Sequence, residues 1–145
     1  GDQLVIPLQN KLREIMWNYC GVVRDEKGLK KGISEVQELK KLSTNLDIRF
    51  DGQTYNDLIN AYDFKASLMS SEATLISALE RKESRGSHQR NDYQKENDNF
   101  KMNYLVKLYN GKLSLRTNQH KIRDDLKLLA GKQNNIKDLK GKLLE

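Results

Sequence analysis

The chain has 145 residues, 37% of them hydrophobic and 32% charged, with a formal net charge of +6. That length accommodates one domain with an appended tail, and no window supplies the ~20 apolar residues that a membrane-crossing helix requires. Cys20 is the only cysteine, which excludes an intrachain disulfide and a thiolate metal site and points to a reducing compartment.

The first predicted helix runs from about Ile6 to Tyr19, with Leu8, Leu12, Ile15, Met16 and Tyr19 on one face. Pro7 suits the first turn, where its missing N–H has no intrahelical partner. Gly21 is expected to end the helix as a left-handed residue. Asp25 is the expected N-cap of a second helix. Its apolar stripe passes through Leu29, Ile33, Val36, then Leu39 or Lys40, and Leu42 towards about Leu46. Gly28 and Gly32 each weaken that helix by ~1 kcal/mol against alanine, or else mark close approach of a neighbour.

Residues Asp47 to Gln53 contain Asp51-Gly52 and read as a loop. Thr54 followed by Asp57 then signals a third helix start. No proline or glycine interrupts the chain from there to Glu83. Tyr55, Ile59, Tyr62, Ala66, Met69, Ala73, Ile76 and Leu79 trace its expected apolar face. About thirty residues at ~1.5 Å each predict a helix of roughly 45 Å.

The helical pattern fails between Ser84 and Asn99. Two alternating runs follow, Tyr104 to Tyr109 and Lys112 to Thr117, separated by Asn110-Gly111. Asn-Gly between alternating runs predicts a two-residue type I′ hairpin, with Leu108 opposite Leu113, Val106 opposite Leu115 and Tyr104 opposite Thr117. An isolated hairpin is marginally stable, so its apolar face must lie on something: this bundle or a further domain. Beyond Gln119, Asp124-Asp125 opens a weak helical pattern through Leu126, Leu129, Ile136, Leu139 and Leu143.

The expected fold is therefore mainly α: an antiparallel three-helix bundle followed by a short β-hairpin and a weakly helical C-terminal tail. We divide it into residues 1–98 (the bundle and the polar loop that ends it), 99–119 (the hairpin packed on it) and 120–145 (a tail, helical or disordered). The start at Gly1 in place of methionine, with no signal-peptide pattern, leads us to expect a piece cut from a longer protein.

The positive charge invites a nucleic-acid reading, but acidic residues are interleaved throughout, as at Asp25-Glu26, Glu35, Glu38, Glu96, Asp98 and Asp124-Asp125. Binding by counterion release needs cations gathered on one face, so nucleic acid is not an expected partner. The Lys-rich tail is the one stretch that departs from this, and it keeps a free-standing basic interaction module open as an alternative.

His88 and His120 are the only histidines, too few for a zinc site. Ser84, Ser87 and His88 lie close in sequence, yet a hydrolytic triad is recognised by geometry that adjacency does not supply. No dinucleotide-binding glycine fingerprint and no P-loop is present. No catalytic residue and no metal ligand is assigned, and the chain alone is expected to bind no cofactor.

The densest chemistry lies in Arg81-Lys82-Glu83-Ser84-Arg85-Gly86-Ser87-His88-Gln89-Arg90-Asn91-Asp92. As a helix terminus, Arg81 and Lys82 would face the negative end of the dipole, with Gly86 as the stop. As a recognition loop, Arg85, His88 and Arg90 would offer donors to carboxylates or to a cofactor's polar edges.

This run resembles the Arg-Lys-Glu-Ser-Arg-Gly-Ala-His-x-Arg-x-Asp signature in the C-terminal region of succinate dehydrogenase and fumarate reductase flavoprotein subunits, with a related form in L-aspartate oxidase. The resemblance extends over roughly Leu12 to Thr117. Leu12-Arg13 and Met16-Trp17, then Gly21-Val22-Val23-Arg24 and Leu29, are similar to the opening of that helical domain. Asn56 and Leu58 are similar to its Asn-x-x-Leu before the third helix. Ser87 replaces the usual alanine.

The resemblance implies a three-helix bundle and short β segment, packed on the flavin-binding and capping domains of one polypeptide. FAD in the full-length protein would pass a hydride to or from a C4 dicarboxylate, and an iron–sulfur subunit would exchange electrons with it. The fragment alone would not be catalytic. A cytoplasmic location is implied, peripheral to the membrane through partner subunits. Glu83, Ser84, Arg85, Gly86, His88 and Arg90 carry over as the signature, with a role in domain docking. The Pro-x-Arg-Asp-Asp stretch that commonly follows is absent after Asp92, which weighs against a role for this loop in docking the iron–sulfur subunit. Gln89-Arg90 and the hairpin favour succinate/fumarate enzymes over L-aspartate oxidase, which stands as the alternative.

Overall fold

A computed structural model describes residues 1–49, residues 55–119 and Leu126. Three helices form the body: α1 over Val5–Cys20, α2 over Glu26–Leu42 and α3 over Tyr55–Glu80. They pack on one another around Leu8, Leu12, Ile15, Leu29, Val36, Leu39, Phe64, Leu68 and Leu75, with Met16, Tyr19 and Ile33 at the edge of this core. The α1 stripe matches the sequence spacing, and so does the α2 stripe as far as Leu39; Leu42, at the end of α2, is exposed instead.

Helix α2 begins where the carboxylate of Asp25 accepts a hydrogen bond from the Gly28 N–H at 2.7 Å, satisfying one of the donors a helix start leaves unpaired. It ends at Leu42, followed by a short 3-10 turn over Ser43–Asn45, so the helix is shorter than its apolar pattern implied. Gly32 marks the close approach that the sequence left open. A Cβ there would lie 2.9 Å from Leu75 Cδ2 and 3.0 Å from Tyr19 Cβ, so three elements meet at a residue without a side chain.

Two expectations are corrected. Gly21 is not left-handed: at φ −61° and ψ −161° it leaves α1 in an extended conformation and leads into strand β1, Val23–Arg24. The face assigned to α3 is rotated as well. Ile59 and Tyr62 are exposed, whereas Ala61, Phe64, Leu68, Leu75 and Ala78 are buried. The helix has apolar residues around most of its circumference, so spacing alone could not choose between two neighbouring stripes. Phe64, the bulkiest apolar side chain fully enclosed in the bundle, is in the stripe that the core uses. The proposed start signal at Thr54 falls outside the described residues, as does the expected tail helix apart from Leu126.

Helix α3 stops at Glu80, short of Gly86. The next residues form strand β2, Gln89–Arg90, which runs parallel to β1 with Val23 beside Gln89 and Arg24 beside Arg90. This pairing had no sequence signal because each strand is only two residues long. After a 3-10 turn over Asp98–Phe100 come β3, Asn103–Tyr109, and β4, Lys112–Asn118. Their antiparallel register places Leu108 opposite Leu113, Val106 opposite Leu115 and Tyr104 opposite Thr117, as the turn predicts. Asn110 (φ 47°) and Gly111 (φ 74°) supply the two positive dihedrals of the type I′ turn. Tyr104, Val106, Leu113 and Leu115 are half-buried on the face turned inward, while Leu108 near the tip stays exposed.

The choice of α3 face gives a direct test by thermal or urea unfolding. Phe64→Ala should cost about 3–5 kcal/mol, as emptied aromatic core sites do. Tyr62→Ala, at an exposed position, should change stability by less than about 0.5 kcal/mol.

Candidate functional site: a buried charge cluster at the helix ends

The run from Arg81 to Asp92 folds into a compact knot where the end of α3, the start of α2 and the entry to the hairpin converge. Arg90 is its centre. Its side chain is 1% exposed, and a buried guanidinium requires both a counter-ion and acceptors for its N–H groups. Asp92 supplies a two-pronged carboxylate, accepting from Arg90 Nε at 2.7 Å and from Nη2 at 2.7 Å. Arg90 Nη1 points the other way and donates to the carbonyls of Ala78 (2.9 Å), Leu79 (3.2 Å) and Arg81 (3.2 Å). These belong to the C-terminal end of α3, where carbonyls lack intrahelical donors and the helix dipole favours a cation.

Asp92 continues the chain of contacts. Its Oδ2 accepts from the Glu26 backbone N–H at 2.9 Å, at the first residue of α2. One ion pair therefore ties the negative end of α3 to the positive end of α2. The hydrogen bonds from Arg90, opposed by burial and aided by the Glu26 N–H, hold the Asp92 carboxyl down at about 2. The two-residue parallel strand pair runs alongside: Gln89 N–H donates to Val22 O and Asn91 N–H to Arg24 O.

Glu83 is the second node and is fully buried. Its Oε1 accepts from Arg81 Nη1 at 2.5 Å and Arg85 Nε at 3.0 Å; its Oε2 accepts from Arg85 Nη2 at 3.0 Å and the Asn97 N–H at 2.8 Å. Burial pushes this carboxyl up, but the donors from Arg85, Asn97 and Arg81 outweigh it and bring it down to about 2. Arg81 also donates to Phe100 O at 2.8 Å and Met102 O at 2.7 Å. Its guanidinium lies over the Tyr104 ring, 4.7 Å from the centroid, so it anchors the base of the hairpin to the end of α3.

Ser84 is buried and its hydroxyl holds the loop together, accepting from Arg90 N–H at 2.8 Å and donating to Tyr93 O at 2.8 Å. His88 is half-buried. Arg24 Nη1 donates to its Nδ1 at 2.8 Å, and its Nε2–H donates to Arg81 O at 3.1 Å. That pattern fixes the neutral tautomer with the proton on Nε2. Burial lowers the ring's pKa, and Arg24, Arg90 and Arg81 lower it further. Ser84 and His88 make their hydrogen bonds elsewhere, so the nucleophile–base contact of a hydrolytic triad is not formed.

Arg85 and His88 exchange backbone hydrogen bonds, N–H to O in both directions, closing a tight turn around Gly86 and Ser87. Gly86 has φ +57°, the place in this turn that favours glycine. This replaces the expectation that Gly86 stops α3: the Arg90 guanidinium covers that helix end instead. Six signature residues were named from sequence. Glu83, Ser84 and Arg90 go inside, whereas Arg85, Gly86 and His88 form the outer rim. Arg81 and Asp92 open and close the run that the sequence singles out but are not among its six site residues, and Arg24 lies outside the run, in the Gly-Val-x-Arg motif.

An open groove of about 590 Å³ separates α3 from β3 and is lined by Arg24, Ser77, Arg81, His88, Tyr104 and Val106, among others. Among the described residues no three His, Cys, Asp or Glu side chains gather as a metal would require. No described helix is long and apolar enough to cross a membrane.

The profile of the fumarate reductase flavoprotein C-term family matches residues 9–133, a span that contains the whole cluster. The chain belongs to this family. The C-terminal domain is 34% identical over 108 residues to an uncharacterized FAD-dependent oxidoreductase of Methanocaldococcus jannaschii, covering 74% of this chain and 19% of that protein. It is 36% identical over 95 residues to an L-aspartate oxidase of Acinetobacter baylyi, covering 64% of this chain and 16% of the relative. Its fold superposes on a mutant of E. coli quinol fumarate reductase FrdA with a TM-score of 0.78 and 26% identity, covering 85% of this chain and 22% of that one. The C-terminal domain thus spans about a fifth of the length of the proteins it matches.

Glu83 and Asp92 give the domain an acid-labile stability. Both folded pKa values lie near 2, below the ordinary 4.5 and 3.8. Stability should therefore be full above those ordinary values and fall as pH drops through them towards 2. In Glu83→Gln the decline in urea midpoint across that window should be shallower than in the parent; an unchanged slope would remove Glu83 as its source.

Proposed function

We propose that this chain is the C-terminal helical part of an FAD-dependent oxidoreductase that interconverts succinate and fumarate, and that it packs against the flavin-binding and capping domains of the same polypeptide. The observation that carries the reading is the family match over residues 9–133, joined to a set of buried signature residues whose polar groups hold the loop and the helix ends together. FAD would supply the hydride chemistry when bound in the full-length protein. The residues here serve as architecture: they fix the helix ends and present a shaped surface to the flavin-bearing body. An iron–sulfur subunit as electron partner, with peripheral membrane association through it, extends the same reading.

Within this proposal the bundle (1–98) and hairpin (99–119) act as one docking body. The signature divides by burial into two jobs. Glu83, Ser84 and Arg90 shape the loop from inside; Arg85, Gly86 and His88 form the edge that meets the other domains. A second reading, the same domain in an L-aspartate oxidase, is favoured by the 36% identity to the Acinetobacter enzyme.

One preparation separates the readings. The full-length protein should copurify with FAD and reduce an artificial acceptor with succinate, or oxidise a reduced dye with fumarate, but show no turnover of L-aspartate. Turnover of L-aspartate without succinate oxidation would establish the second reading, and a full-length protein unable to bind flavin would overturn both.

A further inference from the structure

The surface beside the signature turn carries an apolar cluster that the domain itself does not cover. Trp17 is 83% exposed, Val22 62% and Val23 60%, all within seven residues at the end of α1 and the start of β1. They line one depression together with Arg24 and Ser87. Large apolar groups scattered singly on a surface need no explanation, whereas a contiguous patch rimmed by polar groups marks an interaction site.

Arg24 supplies the second observation. Arg81, Arg85 and Arg90 each pair with a carboxylate of the cluster. Arg24 does not: its Nε donates to Gly21 O at 2.6 Å and its Nη1 to His88 Nδ1 at 2.8 Å, both neutral acceptors. Among the described residues it makes no ion pair, and the groove on its other side is lined by Arg81, His88 and uncharged residues. A half-buried guanidinium with N–H groups left over, next to an exposed tryptophan, has the composition of an interface anchor, where Trp and Arg dominate binding energy.

We propose that Trp17, Val22, Val23 and Arg24, together with the Gly86-Ser87 tip, form the principal contact of this domain with the flavin-bearing remainder of its own polypeptide, and that this remainder places a carboxylate side chain on Arg24. The inference rests on the functional reading above. The occupant follows from two facts. The matched chains are about four times as long as this one, which aligns over 85% of its own length with 22% of the E. coli chain, so a large body accompanies those folds. Among the described residues Arg24 is the one arginine of the cluster with no carboxylate partner, which calls for an acid from outside the domain. Trp17 would enter an apolar recess, and Arg24 would fix the register beside it.

Hydroxyl-radical labelling of Trp17, read by mass spectrometry, tests this in the full-length flavoprotein against the 145-residue chain. Burial of the anchor predicts labelling lower by about fivefold or more in the full-length protein. In that protein Arg24→Glu should raise labelling most of the way to the level of the isolated chain, whereas Arg24→Lys, which keeps the charge, should preserve most of the protection. Equal labelling of Trp17 in the two parent proteins would overturn the proposal without needing any variant. Protection in the isolated chain that grows with its concentration would also overturn it, by naming a second copy as the occupant. Flavin content is measured on the same full-length sample: its absence with Trp17 protected would sink the functional reading and leave the interface standing, and its presence with Trp17 unprotected would do the reverse.

Discussion

A guanidinium with 1% exposure sets the terms for the rest of this domain. Arg90 is buried where a helix ends, and a charge in that position is tolerated only with its donors met and its sign balanced. Carbonyls of Ala78, Leu79 and Arg81 meet one side, and Asp92 meets the other. Because Asp92 also takes the Glu26 N–H, the ends of two helices that are far apart in sequence are joined through four charged or dipolar groups. Apolar packing brings the helices together without direction, whereas this chain of contacts fixes where α3 must stop and how α2 must start relative to it.

The second node extends the constraint to the hairpin. Glu83 accepts from two arginines and one backbone N–H, and Arg81 carries the connection onward to Phe100, Met102 and the Tyr104 ring. The hairpin, marginal by itself, thereby acquires a rigid base. Every buried side-chain nitrogen and oxygen among the described residues has a partner. A polar cluster in that condition specifies one arrangement; missing a member, it would leave an unpaired charge in the interior. Signature residues such as Glu83, Ser84 and Arg90 accordingly read as structural, and the outer rim of the loop lies at Arg85, Gly86 and His88, beside Arg24.

Much of this was legible in the residues. The stripes of α1 and α2, the Asp25 cap and the hairpin register follow from local periodicity and turn chemistry, which act over a few residues. The α3 face did not, because Tyr62 and Phe64 are both large and apolar, and only the neighbouring helices decide which one is enclosed. The pairing of Val23–Arg24 with Gln89–Arg90 also escaped, since contacts about 65 residues apart leave no local pattern. The signature's importance could be read from its resemblance to a flavoprotein family, but its inward-facing role could not. Donor-rich residues in a polar run look like a recognition loop until the structure shows Arg90 enclosed and Arg85 held by the buried Glu83.

The central claim is that Arg90 and Asp92 work as one unit joining the ends of α3 and α2, and a double-mutant cycle of Arg90→Met and Asp92→Asn, read by urea unfolding, tests it most directly. The account predicts strong non-additivity, with a coupling of about 2 kcal/mol or more, since removing either partner already loses the pair. Single-variant losses that add to within about 0.5 kcal/mol would contradict it. The helix ends would then be held by apolar packing, and the buried ion pair would be incidental.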